Sequence, residues 1–77
     1  MIRDRYAVIL VYSTSYAIRA EQILHRAGFK SKLIPVPRHL SSDCGVCVRF
    51  DDGQREAIDR ILGDSGMEIQ GIASTST

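Results

Sequence analysis

The run RYAVILVYS, Arg5 to Ser13, does most to limit what this chain can become. Every residue from Tyr6 to Tyr12 is apolar or aromatic, several are β-branched, and none alternates with a polar neighbour. That is the mark of a strand buried on both faces. It is too short to cross a membrane, which takes ~20 apolar residues. A strand without a polar side belongs in the middle of a sheet. The remaining residues must therefore supply neighbours on both of its edges and a layer to cover it.

The rest of the chain supplies them in order. Ser13-Thr14-Ser15 offers three candidate N-caps for a helix. Ala17, Ala20, Leu24 and Ala27 recur at helical spacing, Ile23 widens the stripe, and Gly28 is a natural stop. Phe29 to Val36 alternates, and Pro35 confines it to a sheet edge. Pro37 to Gly45 reads as a polar loop. Val46 to Phe50 alternates again, with Val46, Val48 and Phe50 on one face and Cys47 and Arg49 on the other. Asp51 with Gln54 three residues later has the pattern of a capping box for a second helix striped by Ile58, Ile61 and Leu62. Met67 to Ala73 is the expected last strand, and residues 74–77 an unstructured tail. The order β-α-β-β-α-β is that of an α+β ferredoxin-like split βαβ sandwich, an antiparallel sheet ordered 4-1-3-2 with both helices on one face. The first strand is then central, and its other side looks for cover, for which a homodimer through the open sheet is the expected answer.

Seventy-seven residues make one domain, 1–77, with a core expected over about 5–73. A net charge of +1 gives no electrostatic footprint for nucleic acid or an anionic membrane. The opening residues, Met1 to Arg5, carry charge with no apolar signal region behind them, so the chain reads as cytoplasmic. In a reducing compartment its two cysteines point to catalysis, carriage or metal binding more than to a structural staple.

Both cysteines sit in SSDCGVC, Ser41 to Cys47. A redox C-x-x-C pair opens a helix, where positions three apart face one another, but Val48-Arg49-Phe50 continues a strand. Along a strand the two Cα atoms would be ~10 Å apart, beyond the ~7 Å a disulfide tolerates, and the odd spacing sends the side chains to opposite faces. A metal site would have Cys44, Cys47 and His39 where a closed tetrahedral site wants four ligands. Cys44 alone is the better candidate. The topology brings Cys44-Gly45 beside Ser13, Thr14 and Ser15, where a helix N-terminus favours an anion and hence a thiolate. Arg38 could add a cation, and Gly45 is expected to relieve crowding and to permit a positive φ. The plainer use of Cys44 is as a small buried apolar group, and of Cys47 as a structural or interfacial one.

At Pro35-Val36-Pro37-Arg38, Ser41-Ser42 and Cys44-Gly45, with Ser13-Thr14 and Ala20-Glu21 upstream, the chain resembles the small selenium/sulfur carrier protein-like family. The likeness extends from about Tyr6 to Ile72. It implies that Cys44 carries sulfur or selenium as a persulfide or selenopersulfide, without enzymatic turnover of its own. Gly45, Arg38, Ser41, Ser42, Ser13 and Thr14 would then stabilise the anion. Cys47 lies outside the family's core signature and is a candidate second thiol. The resemblance also implies a cysteine desulfurase or selenocysteine lyase-like donor and a selenophosphate-making or thiolating acceptor. Neither a resident cofactor nor a metal is expected, because the cargo is covalent.

Other functions fit the same topology. A regulatory module binding a small ligand at a dimer interface would not need Cys44. A thiol redox or metal-binding protein would need Cys44 and Cys47 together. RNA binding through the first and third strands stacks bases on aromatics, and the third strand here has an aromatic only at Phe50.

Overall fold

In the structure, a computed structural model, residues 5–40 and 44–74 are described. Strand β1 spans Tyr6–Leu10, helix α1 Thr14–Arg26, β2 Ser31–Pro35 and β3 Val46–Asp51. A 3₁₀ turn at Asp52–Gln54 leads into α2, Arg55–Asp64, and β4 is Gly71–Ser74. The four strands form one antiparallel sheet in the order β2-β3-β1-β4. This is the ferredoxin-like α+β arrangement, with the apolar run at its centre and Pro35 on an edge strand.

Register explains why β1 carries no polar side. Ala7 pairs with Phe50 and Ile9 with Val48, and all four belong to the core under the helices, together with Ala17, Ala20, Leu24, Ile58 and Leu62. Val8 pairs with Arg49 and with Ala73, which places these three on the opposite face, where Cys47 pairs with Ile34. Val8 and Cys47 are nonetheless fully buried. Across that face the Arg49 guanidinium lies 4.2 Å from the centre of the Tyr6 ring. The side opposite the helices is therefore partly roofed by its own side chains. Each large apolar side chain withdrawn from water on the helix side contributes roughly 1.5–3 kcal/mol.

Both helices end in the same device. Phe29 N–H donates to the Leu24 carbonyl at 2.9 Å and Gly28 N–H to that of His25 at 3.0 Å, with Gly28 at φ 89°. At the other helix Met67 N–H reaches Leu62 at 3.3 Å and Gly66 N–H reaches Gly63 at 3.1 Å, with Gly66 at φ 76°. These are Schellman motifs, in which a left-handed glycine satisfies the last carbonyls and folds the following apolar residue back onto the helix. Phe29 and Met67 both pack against the core.

Several boundaries differ from the sequence reading. Helix α2 does not follow Asp51 directly. Asp51 caps the 3₁₀ turn by accepting from Gly53 N–H at 2.8 Å, and Gln54 at the start of α2 makes no side-chain cap. The last strand begins at Gly71, not Met67, and runs through Ser74, one residue past the expected core. Met67 and Ile69 are apolar because they pack against the core, not because they pair in the sheet. Ala27, expected in the stripe of α1, is exposed at its C-terminal end.

Candidate functional site

The corner where β3 begins and α1 begins holds Cys44. Its sulfur accepts from the Val46 backbone N–H at 3.5 Å and lies 3.7 Å from Thr14 Oγ1, a contact in which either group can donate. Thr14 is the first residue of α1. The neighbouring β1 and β3 bring the two together across thirty positions of chain, as the topology led us to expect.

The helix start is built to favour negative charge. Ser13 is the N-cap in an extended conformation, and its carbonyl accepts from Ala17 N–H at 3.1 Å. Its hydroxyl makes no capping bond, and the first turn contains no acidic residue. The leading N–H groups are thus left without a side-chain cap from Ser13, and their partial positive charge faces the corner without an acid to offset it.

The geometry fixes the exposure of Cys44 and corrects the expectation for Gly45. The Cys44 thiol is not openly accessible: the residue is 6% exposed and its side chain belongs to the margin of the core. Gly45 is exposed, its φ is not positive, and a Cβ added there would meet nothing within 4 Å. Neither crowding nor backbone strain demands glycine at that position.

Arg38 is exposed, and among the described residues no hydrogen bond or ion pair joins it to Cys44. His39 is also exposed, and no cluster of three or more metal-ligating side chains occurs among the described residues. Ser41 and Ser42 lie outside the described residues. Tyr12 and Tyr16 flank the helix start in sequence, 46% and 36% exposed, and stack edge to face at 6.4 Å. Tyr16 and the Val46 amide were not foreseen; the four-residue spacing of the tyrosines was the available signal for the pair.

Cys47 is separated from this corner by the sheet itself. Its thiol is fully buried, donates towards the Pro35 carbonyl at 4.0 Å, and forms no disulfide with Cys44. Burial pushes its pKa up, and the nearby Cys44 thiol adds to the rise. A neutral thiol is therefore what this position holds.

The fold and the corner define a class: a small ferredoxin-like domain with one cysteine held at a helix N-terminus and a second turned to the opposite face. The chain belongs to the family described as "Putative Se/S carrier protein-like", whose model it matches over residues 6–74. No curated protein and no solved structure matches it significantly. Among the described residues no helix is long and apolar enough to cross a membrane.

Proposed function

We propose that the protein carries sulfur or selenium on Cys44, as a persulfide or selenopersulfide, between a donor and an acceptor enzyme. The supporting observation is the setting of the Cys44 sulfur, 3.5 Å from the Val46 N–H and beside Thr14 at the start of a helix with no acidic first turn. Such a setting offers hydrogen bonds and a helix N-terminus to the terminal anion of a loaded persulfide. In loading, the Cys44 thiolate attacks the outer sulfur of a donor persulfide. A new S–S bond forms, the donor's S–S bond breaks, and the donor leaves as its thiolate. In unloading, an acceptor nucleophile attacks the outer atom and Cys44 departs as thiolate. Sulfane sulfur passes along without net oxidation, and selenium can follow the same path.

The turn of Cys47 to the far face protects the cargo. A second thiol within reach would attack the inner sulfur and expel the outer atom. Cys47 is buried, protonated and aimed at Pro35 instead. The donor of this reading is a cysteine desulfurase or selenocysteine lyase-like enzyme, and the acceptor a selenophosphate-making or thiolating one. The protein works in the cytoplasm with no resident cofactor or metal. Ser13 belongs to the anion-favouring helix start, and Arg38 is exposed to an approaching partner.

Burial supports a second reading. At 6% exposure Cys44 could serve only to pack the core's corner. Carriage requires the Cys44-Gly45 turn to open, and modification rate reads that opening. Under the carrier reading, iodoacetamide alkylates Cys44 in the native protein well before Cys47, and a desulfurase with labelled cysteine labels the wild type and Cys47→Ser but not Cys44→Ser. Alkylation of both thiols only on global unfolding, with no label transferred, would establish the packing role instead.

A further inference from the structure

At the opposite end of β3 from Cys44, where β2 begins and β3 ends, a cleft of about 510 Å³ opens. Its volume falls within the range of small-molecule sites, about 300–1,000 Å³. Lys30, Lys32 and Arg49 line it. None of the three has a carboxylate partner among the described residues, and the Arg49 guanidinium is held over the Tyr6 ring instead. The acid in the lining, Asp51, has one carboxylate oxygen engaged by the Gly53 N–H at 2.8 Å. For a chain with a net charge of +1 this is a local concentration of positive charge, gathered by strand register and not by overall composition.

Strand register decides which of these groups can meet. Lys32 pairs with Arg49, so both project from the sheet face opposite the helices, whereas Ser31 pairs with Phe50 on the helix side and takes no part. Two lysines and one guanidinium preset by its aromatic neighbour form a donor set that phosphoryl oxygens take.

We propose that this cleft binds a phosphorylated small molecule, its phosphate held by Lys30, Lys32 and Arg49. The limited volume favours a compact ligand over an acidic protein segment or a nucleic-acid backbone, which would need an extended track. The site stands apart from Cys44 and does not rest on the carrier reading.

The test is an amide NMR titration of the intact protein with ADP, with inorganic pyrophosphate, with adenosine and with a poly-glutamate peptide. ADP or pyrophosphate should give saturable shifts confined to residues 28–32 and 49–54. Adenosine should give none, and affinity should fall as salt rises. The exposed double variant Lys30→Glu/Lys32→Glu should weaken binding about tenfold or more while its spectrum stays folded, and Cys44→Ser should bind as the wild type does. No saturation by either phosphorylated probe would overturn the proposal. So would shifts that survive the double charge reversal, or binding of the acidic peptide alone.

Discussion

Cys47 shows how one side chain ties the fold to pH. Its folded-state pKa lies above the ordinary value of 9.0, first because burial disfavours the thiolate and then because Cys44 is near. The unfolded chain therefore loses this proton before the folded one does. The stabilisation is complete below about pH 9 and is lost as pH climbs from there through the raised folded value. Chemical denaturation from pH 7.5 to 10.5 should give a wild-type stability that falls more steeply above pH 9 than that of Cys47→Ala. Parallel curves would remove Cys47 as the cause. Gly45 makes the opposite case, since open space and an ordinary φ surround it. Gly45→Ala should be neutral or add up to about 1 kcal/mol of stability by restricting the unfolded chain, and a clear loss in urea melts would contradict the geometry. The separation of the two thiols was legible because side-chain direction along a strand alternates with spacing. The burial of Cys44 was not, because exposure depends on what the loop packs against, and no local pattern encodes that.

The elements were read best where local chemistry decides them and worst where packing imitates it. Gly28 announced the end of α1 because only a residue without a Cβ enters the left-handed region cheaply. Met67 and Ile69 alternate like a strand, yet they lie in the passage between the Schellman turn and β4, facing the core without sheet partners. Asp51 signalled a helix start correctly, but the turn it caps is 3₁₀, and α2 proper waits until Arg55. The two glycines that stop the helices have no steric conflict at the Cβ position, so their requirement is conformational alone. Gly28→Ala and Gly66→Ala should each cost about 1–2 kcal/mol, in contrast to the tolerance expected at Gly45. Thermal melts of the three alanine variants side by side separate the cases: equal midpoints would mean that the positive φ values carry no cost.

At the scale of the whole molecule, strand order followed from one apolar run, because a strand with no polar side has nowhere to go but the centre. What the run left open was how its second face stays dry. The radius of gyration, 11.5 Å, is about that of a closely packed chain of this length, and a domain this small has little core to spare. Two helices cover one side of the sheet. On the other, Val8 and Cys47 are fully buried without any element above them, and Arg49 lies across to Tyr6 at 4.2 Å. The pairing of Val8 with Arg49 puts the arginine stem beside Val8 on that face. Arg49→Ala removes both the stem and the cation over the ring, so it should lower stability by about 1 kcal/mol and uncover apolar surface. Arg49→Lys keeps a stem and a charge but gives up the flat guanidinium over the ring, and should recover part of the loss. Urea denaturation measures the first effect, and sedimentation velocity the second, as stronger self-association of the alanine variant through the sheet face. An alanine variant as stable as the wild type and unchanged in sedimentation would mean that this face stays dry by some means other than its own arginine.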